Sequence, residues 1–161
     1  CWTPVGQQTY GRFIAVRVFD FWVHEQDIRV PLGRQGHLEG AAAQMALDEV
    51  RASFGYIAGK KVAVPDGRSV SVHLTGPLVA DLSAAVVNGR AVVDAPTAPR
   101  VPDASSAPRV PDASIMTDSL TFMLLACGRI DPAAALADGR VTRAGEPELA
   151  TRLATGLRFT F

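Results

Sequence analysis

The chain has 161 residues, of which 48% are hydrophobic and 20% charged, and its 16 Lys and Arg balance 16 Asp and Glu. That length suits one ordinary domain, or a small domain with part of another. Balanced charge gives no electrostatic footprint for nucleic acid or an anionic membrane, the composition is globular rather than disordered, and no apolar run reaches the roughly 18 residues of a membrane span.

The chain opens CWTPVGQQTYGRF, with no initiator Met and no basic and apolar regions of a signal peptide. The expectation is a cytoplasmic chain cut from something longer. Lys60 and Lys61 are the only lysines, and with abundant Ala, Val and Gly this Arg bias points to a GC-rich genome. Cys1 and Cys127 fit no CxxC or zinc-ribbon spacing. A reducing compartment is the simpler reading, with a disulfide the alternative.

In chain order, the spacing predicts a first helix over 9–29, with Thr9 as N-cap and Pro31 as stop. A Gly-rich loop, PLGRQGHLEG, leads to a second helix over about 41–58. Met45, Leu47, Val50, Phe54 and Ile57 give that helix an apolar face, and Gly59 is its expected stop. From Lys60 the period becomes two: KKVAVP, SVSVHLTG and ADLSAAVV read as strands. Asn88-Gly89 then makes a hairpin turn into RAVVD. These hairpins predict an antiparallel sheet.

Residues 95–114 break the pattern. APRVPDAS occurs at 98–105 and again at 107–114. Proline disfavours helix and central strand, so this is an exposed insertion in a tolerant loop; the alternative is a Pro-rich docking peptide. Beyond it come a helix over 119–126 capped by Asp118, a short helix over 131–137, a strand over 140–143, a helix over 147–155 and a last strand, LRFTF. The fold class is α+β, with a helical segment over 1–59 and a compact α+β domain over 60–161.

The residues with chemical potential lie in FDFWVHEQDIRVP, 19–31. Asp20 and His24 are four apart on one helix, so both face the same way, one turn apart. A His and a carboxylate so spaced suit zinc or another first-row divalent ion. Two ligands do not hold a zinc, however, and the bland reading is a surface pair on a solvated helix face. His37 or His73 is the candidate third ligand. Asp27 would orient the His24 ring, or pair with Arg29 or Arg17. There is no GxSxG elbow and no phosphate loop. Cys127 beside Arg129 ends an apolar helix, where a buried structural thiol is the default.

The stretch TPVGQQTYGRFIAVRVFDFWVHEQDIR, above all RVFDFWVHEQDIR, resembles the last bundle helix of the mycothiol-dependent maleylpyruvate isomerase family in the DinB-like superfamily. VHLTGPL at 72–78, LTFMLLACGR at 120–129 and GRVTRAGEPELATRLATGLRF at 139–159 extend the resemblance. It implies the last helix of a DinB-like four-helix bundle plus a connecting helix, over 1–59. It also implies a sterol-carrier-protein-like α+β domain over 60–161. By the same resemblance, Asp20 and His24 are metal ligands, with Asp20 standing where the family has Glu, and Arg129 is an active-site residue that would hold a substrate carboxylate. The first bundle helices, with a further His ligand, are absent from this chain. The implied cofactors are a divalent metal, zinc first, and mycothiol as thiol cosubstrate; metal binding would make the thiol a nucleophile toward a small electrophilic substrate. The implied activity is isomerase or thiol transferase in the full-length parent, with this fragment inactive alone. The exposed stripe of the first helix would favour a homodimer. The alternative is a non-catalytic, sterol-carrier-like ligand-binding module, or a vestigial one.

Overall fold

The computed structural model describes residues 2–3, 6–93 and 110–160. Two short strands, β1 (Trp2–Thr3) and β2 (Gly6–Gln7), pair ahead of helix α1 (Tyr10–Arg29). Thr9 caps α1, its hydroxyl accepting from the Arg12 N–H, as the sequence predicts. Helix α2 (Ala41–Tyr56) follows, then a single π turn over Ile57–Lys61. The sheet strands are β3 (Ser69–Thr75), β4 (Ala80–Val87), β5 (Arg90–Val93), β6 (Ala113–Asp118) and β7 (Val141–Gly145). Helices α3 (Ser119–Ala126) and α4 (Pro132–Ala137) lie between β6 and β7, and α5 (Pro147–Thr155) follows β7.

The five-stranded sheet has the order β5-β4-β3-β6-β7. Its fold class is α+β, but the sheet is mixed. β3 pairs with β4, β4 with β5 and β6 with β7 antiparallel, whereas β3 and β6 are parallel, Val70 opposite Ala113 and Thr75 opposite Asp118. Hairpin signals report only strands adjacent in sequence, so the β3–β6 pairing was invisible to them. The Asn88-Gly89 turn is as expected, with φ of 52° and 73°, the conformation a tight primed turn requires.

One face of the sheet is greasy and covered. Val70, Val72 and Leu74 of β3, Leu82, Ala84 and Val86 of β4, and Ala113 and Ile115 of β6 are all buried. Ala43, Ala46, Leu47, Val50 and Phe54 of α2 join the same core, with Phe122, Leu125, Leu149 and Leu153 from α3 and α5. Each buried Val, Leu, Ile or Phe side chain among these stabilises by about 1.5–3 kcal/mol. α3 is buried all round, as its unbroken apolar run requires. Strand residues of opposite phase, among them His73, Asp81, Ser83 and Met116, lie on the other face, which no helix among the described residues covers.

Several local expectations give way to packing. KKVAVP forms no strand. The backbone continues from α2 through the π turn, and the alternation of Val62 and Val64 reflects burial beside the helix rather than strand pairing. Gly59 does not end α2. With Gly55 it lies on β5 instead: a Cβ at 59 would meet Ala91 at 3.2 Å and one at 55 would meet Val93 at 3.1 Å. Residues 157–160 form no strand. They fold back against α3, where the Phe159 N–H donates to the Ala126 carbonyl at 3.1 Å. Most of the duplicated insertion, and with it the docking-peptide reading, lies outside the described residues.

The end of the second repeat belongs to the fold rather than to an insertion. Asp112 accepts from the Ser69 N–H at 2.8 Å, the Ser69 hydroxyl at 3.1 Å and Arg68 at 2.5 Å, and Ala113 and Ser114 already pair with β3. Asp112 thus pins the parallel register. Replacing it with Ala should cost about 1–3 kcal/mol, because a half-buried N–H loses its acceptor. Urea unfolding measures this, and an unchanged midpoint would contradict the role.

Candidate functional site

The site grows from the way α3 ends. Its apolar run stops at Cys127, and Gly128 takes a left-handed conformation with φ of 67°. The Gly128 N–H donates to the Leu125 carbonyl at 3.0 Å and the Arg129 N–H to that of Leu124 at 2.7 Å. These two bonds make a Schellman cap, which glycine favours. The cap aims Arg129 at α1. Its Nε and Nη2 donate to the two Asp27 oxygens at 2.9 and 3.0 Å, and Nη1 donates to the Cys127 carbonyl at 2.8 Å. The fork geometry matches guanidinium to carboxylate. Arg129 holds the Asp27 carboxyl below the ordinary value of 3.8, and Asp27 raises Arg129 in return. A tilted contact of Phe19 with Phe159, centroids 6.0 Å apart, supports the same junction.

The cluster on α1 continues from Asp27. His24 Nδ1 lies 3.1 Å from Asp27 Oδ2, and His24 Nε2 lies 3.6 Å from Asp20 Oδ1. Arg17 approaches Asp20 at 3.4 Å. Asp20 and His24 therefore come together, as their spacing predicts, but on an open surface with side chains 47% and 60% exposed. The candidate third ligands sit with other carboxylates. His37 Nδ1 is 2.6 Å from Glu25, which also accepts from Arg29 at 2.7 Å, and His73 Nδ1 is 2.7 Å from Asp81. Among the described residues, no group of three or more His, Cys, Asp or Glu side chains is arranged to hold a metal ion. Asp20 and His24 thus stand as two candidate ligands without a third beside them among the described residues. Asp27, the one further carboxylate beside His24, is bonded to Arg129.

Behind Arg129 opens a cavity of about 360 Å³. Leu125, Ile130, Pro132, Ala154 and Leu157 give it apolar walls, and Arg129, Asp131 and Arg158 its polar groups. Asp131 is spent as the cap of α4, accepting from the Ala133 and Ala134 N–H groups at 3.2 Å. The Arg158 stem lies on the bare face of Gly128, where a Cβ would come within 2.6 Å of its Nε. That Nε donates to the Thr160 carbonyl at 3.3 Å, and the guanidinium forms no ion pair among the described residues. Sequence reading missed Arg158, because its place depends on residues 157–160 folding back. The Gly128 signal was legible, since a glycine directly after an apolar helix marks a cap. Burial pushes the Cys127 thiol up to about 12.

No family model matches the chain, and no curated protein does. Among solved structures, the chain is similar to a UbiJ-SCP2 ubiquinone synthesis protein at 10% identity, covering 69% of this chain and 95% of that one, with a TM-score of 0.45. It is similar to sterol carrier protein 2 like 2 from Aedes aegypti at 11% identity, covering 70% and 93%, with a TM-score of 0.44. It is also similar to the sterol carrier protein domain 2 of Helicoverpa armigera at 14% identity, covering 68% and 87%, with a TM-score of 0.45. The maleylpyruvate isomerase resemblance is corrected: no model of that family matches the chain. The described helices make no four-helix bundle either. α1 packs on α2, and α2 packs on β4 and β5.

Two outcomes test this junction. Asp27 has a lowered value, so its contribution is present above 3.8 and is lost as pH falls through the folded value. Asp27→Asn should cost about 1 kcal/mol at pH 7 for this partly exposed pair, and the gap from the parent should close under acid conditions in urea unfolding. Cys127 should stay unmodified by iodoacetamide at pH 8 in the folded protein, because the thiolate is the reactive form. Peptide mapping checks this, and ready labelling would contradict its burial.

Proposed function

We propose that the cavity is a non-catalytic binding site for a small amphipathic molecule, its apolar body inside and an anionic head at Arg158. One observation carries the reading: a pocket of mixed polar and apolar lining holds a guanidinium that has no carboxylate partner among the described residues. The cavity volume falls at the small end of the range of about 300–1,000 Å³ for ligand sites, and Leu125, Ile130, Pro132, Ala154 and Leu157 supply its apolar part. Asp27 pairs with Arg129, and the N–H groups of α4 occupy the Asp131 oxygens, so among the described residues the lining guanidinium without an ion pair is that of Arg158.

The reading takes up the ligand-binding alternative of the sequence rather than the enzymatic one. Apolar contact would supply affinity, at about 25 cal/mol for each Å² removed from water. The guanidinium would supply head-group preference, since hydrogen bonds to charged groups contribute about 1.5–3 kcal/mol.

Calorimetric titration with octanoate and with octanol tests both halves. Octanoate should bind more tightly. Arg158→Gln should weaken octanoate at least tenfold and leave octanol within about twofold, as expected from the loss of a charged hydrogen bond alone. Equal affinity of parent and variant for octanoate would remove Arg158 from the reading, and no binding of either probe would remove the cavity.

A further inference from the structure

The uncovered face of the sheet carries a second, separate arrangement. Ser71 and His73 alternate along β3 and so share a face, and His73 lies opposite Asp81 of β4. His73 Nδ1 is 2.7 Å from Asp81 Oδ1, and His73 Nε2 is 3.1 Å from Ser71 Oγ. The carboxylate can only accept, so Nδ1 carries the proton and Nε2 is left to accept from the Ser71 hydroxyl. The order carboxylate, imidazole Nδ1, imidazole Nε2, hydroxyl is that of a nucleophilic serine relay, which is recognised by geometry rather than by chain position.

We propose that Ser71, His73 and Asp81 form an acyl-transfer site for small activated acyl esters, distinct from the cavity. Ser71 Oγ attacks the ester carbonyl carbon and forms the new C–O bond, and its proton passes to His73 Nε2. The ester C–O bond breaks, and the leaving oxygen takes that proton. Water then attacks the acyl-serine, gives its proton to His73, and releases the acid as Ser71 Oγ is reprotonated. Asp81 is a positioning residue: it holds the imidazole in the working tautomer.

Two further observations bear on the step. Backbone N–H groups of β3 are spent in its ladders with β4 and β6, so side chains must stabilise the oxyanion. Ser83 of β4 and Ser114 of β6 flank Ser71 in register, and neither hydroxyl has a hydrogen-bond partner among the described residues. Opposed side chains of an antiparallel pair stand about 4.5–5.5 Å apart at Cβ, which puts the free Ser83 O–H beside the nucleophile, with Ser114 in register on the parallel side. Ser71 itself is only 3% exposed, which excludes a bulky acyl group.

The test is incubation of the full chain with p-nitrophenyl acetate, following nitrophenolate release and mapping the acetyl adduct by peptide mass. The adduct should fall on Ser71 and vanish in Ser71→Ala. His73→Gln should slow acylation about a hundredfold, within the usual range for general base catalysis. Asp81→Asn should slow it at least tenfold while Asp81→Glu retains part of the rate, a rescue that a merely structural carboxylate would not show. Thermal melts of the variants accompany the rates; exposed Asp81 makes Asp81→Asn the variant least able to unfold the chain. Acetylation confined to Lys60, Lys61 and the amino terminus, or Ser71→Ala turning over at the parent rate, would overturn the proposal.

Discussion

Val70, Val72 and Leu74 on β3 and Leu82, Ala84 and Val86 on β4 turn one face of a five-stranded sheet into a continuous apolar surface, and α2, α3 and α5 lie against it. Everything else follows from that one-sided burial. α3 can be apolar all round because it is packed between the sheet and its neighbours. The other face needs no apolar residues, so it is free to carry Ser71, Ser83, Ser114, His73 and Asp81. Gly55 and Gly59 belong to the same constraint, letting the end of α2 settle on β5 where a larger residue would hold it off.

The end of α3 sets the second level of organisation. A Schellman cap at Gly128 reverses the chain, delivers Arg129 to Asp27 on α1, and leaves a bare surface on which the Arg158 stem runs. One glycine thus connects a junction and a cavity. The bidentate pair ties α1 to the end of α3, and the Arg158 guanidinium on the same cavity is left without an ion pair among the described residues.

Asp20 and His24 show what helix spacing can and cannot say. Four residues along a helix place two side chains on one face, and the structure brings these two together. Spacing could not say what the neighbouring carboxylate would do. Asp27 is fixed by Arg129, more than a hundred positions away, and His37 and His73 have carboxylates of their own. The cluster that reads as half of a metal site along the chain also forms a line of charged contacts in space, from Arg17 through Asp20, His24 and Asp27 to Arg129.

The sequence by itself determined the elements whose causes are local. The cap at Thr9, the cap of α3 at Asp118, the Asn88-Gly89 turn and the alternating strands β3 and β4 all rest on interactions within a few residues, and all are present. Tertiary structure alone decided the parallel pairing of β3 with β6, the return of residues 157–160 onto α3, and the fate of KKVAVP beside the helix. It also decided both candidate sites. Arg158 reaches the cavity only because the chain folds back there, and His73 meets Asp81 only because a hairpin sets them opposite each other. The physical reason is the same in each case: hydrogen bonding and capping are read over three or four residues, whereas burial and ion pairing depend on which distant surfaces the core brings into contact.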